Sequence, residues 1–224
     1  RRMFGGGIEV RPLHIVATPR GLASNTARVS NALLEALYEK YSDLEVQTLD
    51  LFATNLPAVA GTNIESKYKL MTGQALDEAA ASSWHEIEAT IAEFLNAESY
   101  LVTTPMWNLS IPYVLKYYID AIVQPGYLFK YDVNGHPEGL VKGKTMICVT
   151  SRGGDYSAEP LKAYDFVESY LRTIFGFVGI PDINFFHVQP MDISVDIHHP
   201  PQQRTSTAFR DFVAGSDRGP ASRA

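Results

Sequence analysis

The chain has 224 residues, 46% of them hydrophobic and 20% charged, with a formal net charge of −6 and a pI near 5.5. This reads as one ordinary soluble globular domain. The balance argues against a nucleic-acid binder, which carries a basic stripe, and no apolar run approaches the roughly 20 residues of a membrane span. A core of this size needs no disulfide or structural metal. The single Cys148 has no internal partner, so a reducing cytoplasm is the expected setting.

Residues 1–12 read as an N-terminal extension; RRMFGGGIEV has arginines but no apolar h-region, so no secretory signal is expected. Residues 13–17 (LHIVA) form a short continuous apolar run, the pattern of a parallel strand covered on both faces. The next segment places Val29, Leu33, Leu37 and Tyr41 at helical spacing, a stripe suited to packing on a sheet. Residues 45–51 predict a second strand, and residues 52–63, rich in Pro, Gly and Asn, a loop. A long helix follows, carried by Leu76, Ala80, Trp84, Ile87, Ile91 and Leu95.

The third strand, residues 99–103, runs into TTPMWNLSIPYVLKYYIDAI, where a loop turns at Pro112 into an amphipathic helix. Residues 129–140 contain Asn134-Gly135 and predict a small hairpin excursion. Residues 145–150 (TMICVT) are the fourth strand and residues 166–177 a helix stopped by Gly179 and Pro181. Residues 182–188 (DINFFHV) are the fifth strand, and beyond Met191 the pattern decays. Alternating strands and helices imply right-handed crossovers. The expected fold is therefore α/β, a flavodoxin-like three-layer sandwich with a five-stranded parallel sheet in order 2-1-3-4-5. Residues 13–190 form its single domain and residues 191–224 a divergent tail with at most a short helix near residues 206–214.

In that order strands 1, 3 and 4 are neighbours, so three loops meet at their carboxyl ends: TPRGLASNT, TPMWNL and SRGGDY. The first ends at a helix start, where Ser24, Asn25 and Thr26 stand beside unpaired N–H groups. Taken alone that reads first as a plain N-cap by Ser24 or Asn25, and beside the other two loops as a phosphate site. In the second, Met106, Trp107 and Asn108 offer apolar faces and one amide, which suit a planar heteroaromatic better than a metal or a nucleophile. In the third, Gly153 and Gly154 permit positive φ and close backbone approach, or make a simple turn. A serine-hydrolase elbow, a P-loop and a G-x-G-x-x-G after the first strand are all missing. The histidines lack metal-ligand spacing, His198-His199 included, so no metal is expected.

Taken together, PMWNLSIPYVLKYYIDAI, FKYDVNGHPEGLVKGK, TSRGGDYS and YLRTIFGFVGI resemble the FMN-dependent NADH-azoreductases, quinone oxidoreductases of flavodoxin-like fold. The resemblance runs from about Leu13 to Val188. It implies a homodimer with one FMN per subunit, each site completed by the partner. It also implies ping-pong hydride transfer from NADH or NADPH through FMN to a quinone or azo compound. By motif position it assigns Thr18, Ser24, Asn25 and Thr26 to the phosphate. Pro105, Met106, Trp107, Asn108 and Leu109 go to one side of the ring, and Ser151, Arg152, Gly153 and Gly154 to its other edge. Tyr131, with Phe175 or Phe177, corresponds to the substrate face, and residues 56–59 (LPAV) to the loop bordering the partner's site. No side chain is required as an essential acid or base. Trp107 stands where the family commonly has tyrosine, and Thr18 where it has serine. The rival class is a flavodoxin-type electron carrier, which binds FMN without turning over a substrate of its own.

Overall fold

The computed structural model describes residues 11–21, 24–191 and 213. Five parallel strands form one sheet: β1 (Pro12–Val16), β2 (Gln47–Asp50), β3 (Ser99–Pro105), β6 (Thr145–Ser151) and β7 (Ile183–Val188). Their order is β2-β1-β3-β6-β7. With the two hairpin strands between β3 and β6 set aside, this is the predicted 2-1-3-4-5. The register aligns Ile15, Val102, Cys148 and Phe185 across the sheet. Consecutive residues of a strand point to opposite faces. Accordingly Leu13, Ile15, Val102 and Met146 join one apolar cluster, while Leu101, Ile147 and Val149 join the other.

Helices cover both faces. The first cluster packs against α3 (Glu78–Asn96), α4 (Tyr113–Ile122) and α5 (Phe166–Val178) through Trp84, Leu115 and Leu171, among others. The second packs against α1 (Asn25–Lys40), through Val29, Leu33 and Leu37. Val213 is buried in this second cluster, and Lys40 Nζ donates to its carbonyl. The remaining residues of the two terminal segments lie outside the described residues, including the rest of the short helix expected near residues 206–214.

Local signals explain the element ends. Asp77 caps α3, accepting from Ala80 N at 2.9 Å, and Asp165 caps α5 through Val167 N at 3.0 Å. Gly179 ends α5 at φ +107, a conformation costly for any residue with a Cβ. On α3, Phe94 rather than Leu95 is the fully buried residue. A second difference is α2 (Thr62–Met71), which the sequence reading leaves between a loop and the long helix. Its buried residues are Asn63 and Ser66, so it carries no apolar stripe to betray it.

The hairpin forms as expected from β4 (Phe129–Tyr131) and β5 (Pro137–Gly139), with Asp132 Oδ1 accepting from Asn134 N and His136 N at 2.8 Å each. It sits on the end of α5. A Cβ at Gly139 would lie 2.4 Å from the backbone of Val178 and Gly179, and Val141 N donates to Val178 O at 2.9 Å.

Candidate cofactor site

The three loops meet. Ala17 N, after β1, donates to Thr103 O at 2.8 Å, and Met106 N, after β3, donates to Ser151 O at 2.7 Å. Thr26 Oγ1 lies 2.5 Å from Ser151 Oγ and ties the first loop to the third. Between them is an open cleft of about 280 Å³.

One end is polar. Thr18, Ser24, Asn25 and Thr26 line it, as expected, together with Pro19 and Arg20. Ser24 is the N-cap of α1 and accepts from Ala27 N over a long 3.4 Å. Capping and anion binding are thus compatible here. The N–H groups of Asn25 and Thr26 begin the helix and have no intrahelical acceptor. The first turn holds no acidic residue, so nothing of like charge opposes an anion there.

The other end is apolar, lined by Pro105, Met106 and Trp107. Trp107 is propped from behind by two rings, Phe52 at 6.0 Å and Tyr113 at 6.3 Å between centroids. A tight turn follows: Trp107 N donates to Ser110 O at 2.8 Å and Ser110 N to Trp107 O at 3.0 Å. Its two central residues, Asn108 (φ +47) and Leu109 (φ +71), are exposed and stand outside the cleft lining. Asn tolerates this region, whereas Leu does so at a cost. Phe166 N donates to Leu109 O at 3.0 Å and holds the turn from the start of α5.

Ser151, Arg152 and Gly153 line the third side, joined by Met191, whose N–H donates to Arg152 O at 2.9 Å and Gly153 O at 3.0 Å. Gly154 stands outside the lining, and neither Gly153 nor Gly154 has positive φ, contrary to the expectation from sequence. The Arg152 side chain is 1% exposed and spends its N–H groups on Asp165, Thr150 and His187. It does not reach out to a ligand. Burial first, then the Arg152 charge, holds the His187 imidazole below its usual pKa, against the opposing pull of Glu168.

The residues assigned to the substrate face do not gather at this cleft. Phe175 is fully buried, 6.3 Å from Phe94 in the core, because the α5 stripe turns it toward the sheet. That excludes it from any substrate face. Phe177 packs on Phe129 at 4.8 Å, and Tyr131, 54% exposed, stands edge-on to Phe129 at 5.6 Å. Tyr131 belongs to the hairpin and Phe177 to the last turn of α5 beneath it, and both stand outside the cleft lining of the same chain.

Sequence reasoning missed Arg20, Met191, Phe52 and Tyr113. Arg20 lies within the first loop and was legible as a cation beside a phosphate site. Met191 gave no signal, because its place depends on backbone bonds formed only after folding.

The cleft fits FMN in kind: hydroxyls and free N–H groups at one end for a phosphate, and an indole and a thioether at the other for a flat ring. Its volume is at the small end of ligand sites.

A parallel sheet in this order, with its ligand cleft at the carboxyl ends of the central strands, defines a flavodoxin-like α/β protein. The family model described as flavodoxin-like fold matches residues 11–211. An FMN-dependent NADH:quinone oxidoreductase of Desulfotalea psychrophila is 36% identical over 178 residues, covering 80% of this chain and 84% of the relative. Its namesake in Nitratidesulfovibrio vulgaris is 37% identical over 179 residues, covering 80% and 85%. The crystal structure of an azoreductase from Bacillus anthracis superposes with a TM-score of 0.77 at 27% identity, covering 92% of this chain and 97% of that one. The chain belongs to the family of FMN-dependent NADH:quinone oxidoreductases with flavodoxin-like fold.

Proposed function

We propose that the chain is an FMN-dependent oxidoreductase that moves a hydride from NADH or NADPH to quinones and azo compounds. The observation that carries this reading is the meeting of a hydroxyl-rich helix start with an indole wall in one cleft, in a chain of this family. FMN, when bound, supplies the hydride-carrying chemistry. Ser24, Asn25, Thr26 and the first N–H groups of α1 hold its phosphate, with Thr18 and Arg20 beside them. Met106 and Trp107 support the ring, and Ser151 and Gly153 border its polar edge. Asn108, Leu109 and Gly154 belong to the same loops one or two residues further out. No side chain is needed as an essential acid or base, and because donor and acceptor share one face of the ring they take turns there, a ping-pong order.

The protein works as a homodimer in this reading. Tyr131, Tyr113 and Phe166 are 54%, 69% and 52% exposed, large apolar surfaces that a second copy would cover. Tyr131 and Phe177 then serve the substrate face of the neighbouring site rather than of their own. Residues 13–190 form the single catalytic domain, and the cytoplasm is its place, in keeping with a lone, buried Cys148. No described helix is long and apolar enough to cross a membrane.

Purified protein titrated with FMN, then assayed for NADH and NADPH oxidation with a quinone and with an azo dye, tests the reading. Tight FMN binding with turnover of both acceptors is expected. A protein that takes up no FMN overturns it, and one that binds FMN yet oxidises neither nicotinamide is an electron carrier instead.

A further inference from the structure

Arg152 is charged and fully buried, a combination that needs complete pairing. Its Nε and Nη2 donate to Asp165 Oδ2 at 2.8 and 2.5 Å, and its Nη1 to Thr150 Oγ1 at 2.6 Å and His187 Nδ1 at 2.8 Å. Arginine does not give up its proton, so Nδ1 of His187 is an acceptor here. The imidazole is then neutral, with its proton on Nε2, donating to Glu168 Oε2 at 2.7 Å. The Arg152 backbone is held as firmly: its N–H donates to Val188 O at 3.1 Å and its carbonyl accepts from Met191 N at 2.9 Å. The residues on either side, Ser151 and Gly153, both line the cleft.

Resting on the FMN reading above, we propose that Arg152 is a positioning residue. Gripped by Asp165 and His187, it fixes the backbone of Ser151 and Gly153 at the cleft, and so sets the affinity and the reduction potential of the bound FMN. His187 supports the arrangement only as a neutral acceptor. Its side chain is 30% exposed and borders a neighbouring cavity of about 520 Å³, so protons reach it from solvent. Among the described residues, the charged groups facing it are Arg152 from the end of β6 and Asp165, Glu168 and, through Glu168, Arg172 from α5. A proton on Nδ1 would set N–H against N–H, turn Thr150 Oγ1, 2.8 Å away, into the acceptor of that proton, and cost Arg152 one of its three partners.

Three variants test this on the full chain: Arg152→Lys, Asp165→Asn and His187→Gln. Lysine keeps the charge but lacks the fork. Asparagine keeps an oxygen to cap α5 but turns an NH2 group toward the guanidinium. Glutamine can accept from Arg152 and donate to Glu168 without titrating near neutral pH. The readouts are the FMN dissociation constant by fluorescence quenching, the midpoint potential of bound FMN, and far-ultraviolet circular dichroism.

Arg152→Lys and Asp165→Asn are expected to bind FMN roughly 10-fold or more weakly, with a displaced potential. His187→Gln is expected to match the parent near pH 7.5 and to lose part of the parent's affinity drop on the acid side of about pH 6.5, leaving only the FMN phosphate's own protonation. Folded Arg152→Lys and Asp165→Asn with parental affinity and potential overturn the proposal. If both unfold, His187→Gln decides, and an acid-side profile identical to the parent's overturns it. A parent that binds no FMN overturns the functional reading and this proposal with it; tight binding by the parent and all three variants overturns the proposal alone.

Discussion

Thr26 and Ser151 share a 2.5 Å hydrogen bond between side chains, joining the first turn of α1 to the last residue of β6. Both hydroxyls are buried at the floor of the cleft, so each has few other partners. Removing one should therefore be felt at the other. Thr26→Val is expected to weaken FMN binding by about 1–3 kcal/mol, since it leaves Ser151 and the phosphate each short of a partner. Thr26→Ser should bind like the parent, and Thr26→Asp should abolish binding by placing a carboxylate beside the phosphate. Fluorescence titration of the three variants checks the order.

Trp107 is one wall of the cleft, backed by Phe52 and Tyr113. Trp107→Tyr keeps an aromatic face and should change FMN affinity little. Trp107→Ala loses that face and its pairing with the two rings, a loss of about 1–3 kcal/mol in binding. Dissociation constants for the pair of variants measure the difference.

Leu109 stands at φ +71, a region that β-branched residues reach only with strain. Leu109→Val should destabilise the fold by about 1–2 kcal/mol, while Leu109→Gly should be near neutral, the relieved backbone offsetting glycine's lost entropy. Urea denaturation of both variants is the measurement.

His14 is buried between β1 and β3, its Nε2 2.8 Å from Thr103 Oγ1, and burial pushes its pKa down from 6.5 to about 4. The unfolded chain binds this proton more readily than the folded one. Stability is thus full above the unfolded value of 6.5 and falls as the pH drops toward about 4, by a few kcal/mol in all. His14→Gln should flatten that part of the profile. Urea midpoints taken at several pH values across the interval show whether it does.

Gly139 lies against the last turn of α5 with no room for a Cβ. Gly139→Ala should lift the hairpin away at a cost of about 1–3 kcal/mol. It should also impair turnover more than FMN affinity, because the hairpin lies outside the cleft lining. A comparison of melting temperature, FMN binding and kcat separates the three effects.

Much of this was legible in the chain itself. Continuous apolar runs such as LHIVA and TMICVT marked strands buried on both faces, and the strand order then brought three loops together. The loops supplied ten of the thirteen assigned cofactor residues to one cleft. Exposure was less legible where the backbone decides direction. Asn108 and Leu109 are carried outward by a positive-φ turn, which no propensity of Leu suggests. The role of Arg152 was hidden for a different reason: Asp165 and His187 lie 13 and 35 residues away, on elements whose packing the spacing does not report. Phe175 shows the limit of resemblance, since an aromatic at helical spacing is placed by the stripe it belongs to.

The bond between Thr26 and Ser151 spans 125 residues, and the strands that carry the site are separated by whole crossover units. Such long-range pairing forms late, after loop closure has been paid in entropy. An N-terminal fragment emerging from the ribosome through α4 would have the helix start of α1 and the indole of Trp107, yet still lack the third side of the cleft. FMN would then enter a nearly finished sheet, and uptake of the cofactor would act as a report of completed folding rather than as its template.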